Sequence, residues 1–414
     1  MRPRRVLFFA EAVTLAHVAR PIALARALAA PDYETFIACD ERYRRFLEHE
    51  ASQHLPLHSI GSERFLRSLA MGSTLYDLAT LRSYLAEDLK LIERVKPDLI
   101  VGDFRLSLSV SARLAGVPYA AISNAYWSPF IVRKRFPLPV LPMTRALPLP
   151  IADALFRLAC PFFFKLHCRP MNRLRREHGL DELGDDLRRI YTDADYALYA
   201  DAAQLFATAE LPPHHQFLGP IVWSAPTPLP AWWSTLPTQR PLIYVTLGSS
   251  GSAQQTRAIV AALAELPVTV LASLAGASAP THSPANVFIA DYLPGTEAAA
   301  RSQLVVCNGG SPTSHQALAA GKPVLGIARN MDQFLNMEAL VAARAGLTLR
   351  ADRLRVPALR AAAQSLLSGA NAGSGAAALA GLHTPDAAGK RFAEFAGMVV
   401  NAGSSVLPRA PKAA

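Results

Sequence analysis

Short apolar runs recur along this chain, and each gives way to a loop and then to an amphipathic stretch. In the first half, residues 6–10 read as a strand, residues 18–30 as a helix ending before Pro31, and residues 35–39 as a second strand. A helical region over 76–96 stops at Pro97, and 99–102, 107–114 and 119–123 follow as strand, helix and strand. Strands alternating with helices point to parallel βαβ units, because a parallel pair needs a crossover and the crossover is usually a helix. The texture changes between Leu205 and Leu236, where prolines fall at 212, 213, 220, 226, 228 and 230, with another at 237. That density suits no regular element and reads as an interdomain linker. The alternation then resumes with strands at 242–247, 268–272, 287–290, 304–307 and 324–327 and helices at 254–266 and 314–320.

A chain of 414 residues that is 51% hydrophobic has the length and apolar content for two cores. The reading is an α/β protein with two doubly wound, Rossmann-like parallel-sheet domains facing a central cleft. Residues 1–205 form the first domain, 206–240 the linker and 241–385 the second domain. An amphipathic helix at 386–400 is expected to pack back on the first domain, and 401–414 is expected to be a disordered tail. The Ala-, Gly- and Ser-rich stretch 369–381 reads as a mobile connection. Ligands of such sheets bind beyond the carboxyl ends of the strands. The loops that matter therefore follow Ala10, Gly102, Leu247, Ala290, Cys307 and Ile327.

No apolar run reaches the roughly 18 residues of a spanning helix. The run at 6–10 is too short for a secretory core and is broken by Glu11, which places the protein in the cytoplasm. Cys39, Cys160, Cys168 and Cys307 share no metal-ligand spacing and read as buried, reduced thiols. The net charge is +10, and between Phe104 and Arg176 there are 12 Lys/Arg against one acid, Asp153. No aromatic-basic motif or zinc finger accompanies this bias, so nucleic acid is not the expected partner. The same stretch holds Phe130-Ile131-Val132-Arg133-Lys134-Arg135-Phe136 and Pro161-Phe162-Phe163-Phe164-Lys165. Cations mixed with large apolar side chains suit an anionic membrane surface or a lipophilic acceptor, although a solvated basic face over an ordinary core has the same composition.

Two strand–loop–helix junctions in the second half suit an anion. Gly248-Ser249-Ser250-Gly251 and Asn308-Gly309-Gly310-Ser311-Pro312-Thr313 both combine glycines, which admit close backbone approach, with hydroxyl donors at a helix start. One such turn could serve geometry alone, whereas two in one sheet fit a diphosphate. Asp332 and Gln333, after the next strand, supply the acceptors and donors that sugar hydroxyls need. In the first half, His17 lies in the loop after the first strand and Asp103 just after another strand end. A carboxylate beside an imidazole fixes its tautomer and stabilises the protonated ring, which makes a general base.

These residues carry a resemblance. Asn308-Gly309-Gly310-Ser311-Pro312-Thr313, then Gln316, then Leu318-Ala319-Ala320-Gly321-Lys322-Pro323, then Asp332-Gln333, is similar to the donor signature of the UDP-glycosyltransferase superfamily. These are GT-B-fold enzymes that include the bacterial macrolide and antibiotic glycosyltransferases. Tyr244-Val245-Thr246-Leu247-Gly248-Ser249 and Gly219-Pro220 extend the match. The resemblance implies a nucleotide-sugar donor, with UDP and dTDP both open. Tyr292 and Leu293 would meet the base and Gln316 the ribose. Asn308, Gly310, Ser311 and Ser249 would hold the diphosphate, and Asp332 and Gln333 the sugar, while Gly248, Ser250, Gly309 and Thr313 are further donor-site candidates from the loops themselves. It also implies that His17, oriented by Asp103, deprotonates the acceptor for inverting transfer, with no metal and no cofactor. Three positions depart from the family pattern: Asn308 stands for a histidine, Pro312 for a glycine and Gln316 for a glutamate. Glu11, Trp127 and Phe130 are candidate acceptor contacts, and Arg105 reads as a surface ion pair. The acceptor is expected to be a hydrophobic small molecule or a lipid, with peripheral contact at the inner membrane face if it is a lipid. A nucleotide-sugar epimerase would use acids around the donor sugar instead of a base in the first domain. A non-catalytic accessory protein would have no use for the His17/Asp103 pair.

Overall fold

The computed structural model describes residues 2–28, 30–249, 251–274, 283–369, 373–384 and 386–402. Ser250 and the tail from 403 lie outside the described residues. The chain divides into two compact units, the first made of residues up to Arg133, Leu155–Ile221 and the chain from Asp386, the second of Lys134–Ala154 and Val222–Pro385.

The first unit contains β1 (Arg4–Ala10), α1 (Ala16–Ala25), β2 (Tyr33–Cys39), β3 (Gln53–Pro56), α2 (Ser62–Met71), α3 (Leu78–Val95), β4 (Leu99–Asp103), α4 (Leu108–Ala115) and β5 (Tyr119–Ser123). The short helix α5 (Pro142–Ala146) belongs to the second unit, and α6 (Leu149–Glu177) begins there. The first unit then continues through α7 (Leu187–Thr192), β6 (Tyr196–Tyr199) and β7 (His215–Phe217). Its strands are all parallel, in the order β3-β2-β1-β4-β5-β6-β7. The buried runs of β1, β4 and β5 reflect a sheet covered on both faces. The order reverses between β1 and β4, whose register pairs Ala10 with Asp103. The two loops leaving these strands therefore diverge and open a crevice beyond their carboxyl ends.

The second unit continues with β8 (Leu242–Thr246), α8 (Ala253–Ala264), β9 (Thr269–Ser273), β10 (Val287–Ala290), α9 (Gly295–Arg301), β11 (Leu304–Cys307), α10 (Ser311–Ala319), β12 (Val324–Ala328), α11 (Met331–Ala342), β13 (Gly346–Arg350), α12 (Val356–Leu367) and α13 (Ala376–Ala380). Its sheet is also parallel, in the order β10-β9-β8-β11-β12-β13. Here the reversal falls between β8 and β11, and Thr246 pairs with Cys307, so the loops that follow leave side by side.

Several expectations change. The proline-rich segment is not wholly a linker, because β7 pairs with β6 as the edge of the first sheet. Residues 134–154 belong to the second unit, not the first. Val140 N donates to Arg329 O at 2.7 Å, Arg350 Nη1 to Leu138 O at 2.7 Å and Thr144 Oγ1 to Asp352 Oδ2 at 2.6 Å. The stretch read as a mobile connection holds α13. α6 runs 29 residues through Pro161 and Pro170. The last helix, α14 (Ala387–Ala402), packs on α1 and β4, with Phe392 fully buried and its ring 5.8 Å from that of Phe8. All four cysteines are buried and free of disulfides. Among the described residues, no helix is long and apolar enough to cross a membrane.

Candidate active site

The loop after β1 brings His17 to the end of β4. His17 Nδ1 lies 2.7 Å from Asp103 Oδ1. The carboxylate is fully buried, whereas the imidazole keeps 18% of its side-chain surface exposed. An ionised carboxylate only accepts, so in the neutral ring this contact puts the proton on Nδ1 and the lone pair on Nε2. The Phe104 ring stacks on the imidazole at 4.9 Å with an interplanar angle of 15°. Phe104 has a φ of 60°, a left-handed conformation uncommon for a bulky side chain, at the residue after Asp103.

Arg20, which sequence reasoning missed, grips the same carboxylate. Its Nε donates to Asp103 Oδ2 at 2.7 Å and its Nη2 to Oδ1 at 2.7 Å, and Nη1 reaches Asn124 Oδ1 at 2.8 Å. Burial alone would lower the Arg20 pKa, but Asp103 outweighs it and holds it above the ordinary value. The available signal was its spacing, since residues three apart share a helix face.

The other first-unit candidates differ in placement. Glu11 is buried and committed: Arg105 Nη1 lies 3.1 Å from its Oε2, and Tyr84 OH donates to Oε1 at 2.8 Å. It is a structural carboxylate, not an acceptor contact. Arg105 is not a surface residue either, for it is fully buried against Glu11 and Asp88 with its guanidinium 3.5 Å from the Tyr84 ring centroid. Burial pushes the Glu11 and Asp88 carboxyls up, while Arg105 pulls them down. Trp127 meets Tyr191 edge-on at 5.1 Å, and Tyr191 meets Phe104 at 5.2 Å, which connects Trp127 to the imidazole through two rings. The Phe130 ring instead packs on His215 at 4.9 Å.

In the second unit, the two glycine loops are tied together by Asn308. Its Nδ2 donates to Leu247 O at 2.9 Å, and its Oδ1 accepts from Gly310 N at 3.0 Å. The amide that stands where the family has a histidine thus spends one N–H holding one loop to the other. Gly248 and Gly309 have φ of 64° and 80°, which glycine adopts without strain. Ser249 is exposed beside Gly248. Ser311 opens α10 and Thr313 follows in its first turn, where helices in general present backbone N–H groups to an anion. Pro312 removes one of them.

Tyr292 is half-buried and Leu293 buried in the loop after β10. Gln316 Nε2 donates to Trp223 O at 2.7 Å, so this amide N–H serves the loop and not a ribose. Gln333 is buried, and its Oε1 accepts from Arg329 N at 2.8 Å and Asn330 N at 3.3 Å as part of the capping box of α11. It caps the helix whose first turn presents Asp332, which is half-exposed. Arg329, a second omission, is held by Gln255 Oε1 at 2.9 Å in the first turn of α8, just after the 248 loop. Among the described residues, no group of three His, Cys, Asp or Glu is placed to hold a metal.

Comparison with known proteins agrees with this geometry. Residues 257–389 match the family model of the erythromycin biosynthesis protein CIII-like C-terminal domain. The chain is 53% identical over 388 residues to a PGL/p-HBAD biosynthesis glycosyltransferase of Mycobacterium tuberculosis, covering 94% of this chain and 90% of the relative. It is 50% identical over 401 residues to a PGL/p-HBAD biosynthesis rhamnosyltransferase of Mycobacterium bovis, covering 97% of this chain and 88% of the relative. The solved structure of spinosyn rhamnosyltransferase SpnG complexed with thymidine diphosphate superposes with a TM-score of 0.65 at 19% identity, covering 92% of this chain and 96% of that one. The chain therefore belongs to the family of PGL/p-HBAD biosynthesis glycosyltransferases, within the macrolide and antibiotic glycosyltransferase-like members of the GT-B-fold UDP-glycosyltransferase superfamily.

Proposed function

We propose that this glycosyltransferase moves a hexosyl group from UDP- or dTDP-sugar to a hydroxyl of a hydrophobic, lipid-like acceptor with inversion at the anomeric carbon. The observation that carries the reading is the 2.7 Å contact between His17 Nδ1 and buried Asp103, which leaves Nε2 as an accessible base. The acceptor hydroxyl gives its proton to Nε2 as its oxygen bonds to the anomeric carbon. The bond from that carbon to the diphosphate oxygen breaks with its electron pair going to the diphosphate. The start of α10, Ser311, Thr313 and the 248 loop receive the developing charge, with Asn308 keeping the two loops in register. These donors need no metal or other cofactor. Asp332 meets the sugar hydroxyls, with Gln333 shaping its loop, and Tyr292 and Leu293 meet the base. The relatives' names support a lipid-like acceptor, and the thymidine diphosphate held by SpnG supports a nucleoside diphosphate donor.

Peripheral membrane contact is part of the same reading. Leu155, Leu158 and Phe162 recur on one face of α6 and are 47%, 81% and 58% exposed, with Arg169 further along it. Co-sedimentation with anionic vesicles, weakened by charge reversal at Arg133, Lys134 and Arg135, is the expected result, and no binding by the unmodified chain overturns this part.

Calorimetric titration with UDP and dTDP, in the presence of a chelator, tests the donor site. Micromolar binding of one of them is expected, with Asp332→Ala weakening only the complete nucleotide sugar. Transfer to a panel of long-chain alcohols and alkylphenols, lost in His17→Ala, tests the base. Binding of neither nucleotide refutes the donor reading, and unchanged transfer by His17→Ala refutes the base.

A further inference from the structure

We infer that Arg20 is a positioning residue that sets both the aim of Asp103 and the charge balance around His17. The inference rests on the reading of His17 as the base. Arg20 lies one helical turn after His17 on α1 and is 6% exposed. Its fork takes both oxygens of Asp103, each at 2.7 Å, and so fixes the plane of a carboxylate that would otherwise rotate. The far side of the fork is anchored in turn. Arg20 Nη1 donates to Asn124 Oδ1, and Asn124 Nδ2 donates to both oxygens of Asp201 at 3.2 Å. Asp103 Oδ1 thus receives Arg20 Nη2 and His17 Nδ1 together.

The two nitrogens are 3.1 Å apart. Because Nδ1 already donates to Asp103, this approach sets two donors side by side on one oxygen. Once Nε2 takes the acceptor proton, an imidazolium faces a guanidinium across that distance, and the single negative charge of Asp103 is shared between them. A histidine–aspartate pair without the arginine would keep the whole carboxylate charge for the imidazolium. Arg20 therefore trades some stabilisation of protonated His17 for a fixed carboxylate.

Several groups among the described residues surround the imidazole. Asp103 and Arg20 touch it, and Phe104 covers one face. Tyr76 and Tyr191 pack on Phe104, Asp201 is one bond further through Asn124, and the paired Glu11 and Arg105 lie in the neighbouring loops.

The test is a histidine-ring NMR titration of the full chain, with His17→Ala for assignment, in Arg20→Gln and Arg20→Lys. Glutamine can still donate to Asp103 but carries no charge, so the His17 midpoint should rise by about one pH unit or more. Lysine restores the charge and should return the midpoint towards that of the unmodified chain. With an alkylphenol acceptor, both variants should lose about tenfold or more in kcat with KM for the nucleotide sugar unchanged, because neither side chain has the fork. A glutamine variant that titrates like the unmodified chain overturns the inference, as does a lysine variant that titrates like glutamine. Should Arg20→Gln not fold, an Arg20→Lys enzyme with undiminished kcat overturns it as well. The titration reads Arg20 acting on the imidazole whether or not His17 is the base, whereas full transfer activity in His17→Ala would remove the base assignment alone.

Discussion

Alanine at Gly309 should destabilise the second unit through backbone strain and a side-chain clash together. Gly309 has a φ of 80°, and a Cβ there would stand 2.7 Å from Met337 Cγ. The left-handed conformation costs about 1–2 kcal/mol for a residue with a Cβ. The clash adds about 1–3 kcal/mol, since Met337 is fully buried and cannot swing away. It is held from the other side by Gly326, where an added Cβ would also meet Met337 Cγ at 2.7 Å. The sum is roughly 2–5 kcal/mol for Gly309→Ala. Gly326→Ala should show only the packing part, so the difference between the two variants isolates the backbone term. Met337→Ala opens a cavity that the new methyl partly fills, so the double variant Gly309→Ala/Met337→Ala should be less destabilised than the sum, by about 0.5–3 kcal/mol. Urea unfolding of all four variants reads these values. The displaced loop should also bind nucleotide about tenfold more weakly. A strictly additive pair, or a Gly309→Ala protein as stable as the unmodified chain, would refute the reasoning.

Asn308→Ala removes the bond that joins the two glycine loops and the one that shapes its own loop, and should lose about 1–3 kcal/mol of stability with weaker nucleotide binding, measured by unfolding and calorimetry. Phe104→Gly should be about 1 kcal/mol more stable than Phe104→Ala, because only alanine keeps the left-handed strain, while both lose the ring on His17 and so lower kcat. Burial holds the His215 pKa down to about 4 from 6.5. The unfolded chain then binds this proton first as pH falls, so stability should drop between pH 6.5 and about 4, and His215→Gln should flatten that slope in pH-dependent unfolding.

Much of this protein was legible before any coordinates. The short apolar runs became parallel strands because a strand covered on both faces must be apolar throughout, and that pattern is local. Lys96, in a left-handed conformation with φ of 52° just before Pro97, ends α3 where the proline said it would. The glycine loops were visible because the backbone conformation they need is a property of the residue type. What depends on contacts between distant segments was not visible. The long α6 passes through two prolines, and β7 forms inside a proline-rich segment, because packing and ladder bonds override local preference. The site followed the same division. His17 and Asp103 could be named from the loops that follow two strands and from the family resemblance, but their contact was settled only by the fold. Only the folded chain decided that Arg20 would share Asp103, that Glu11 would be held by Arg105, that Gln316 would reach Trp223 O and that Gln333 would cap its own helix. A side chain's type declares which bonds it can make, but which partner it reaches is settled by three-dimensional proximity across tens or hundreds of residues.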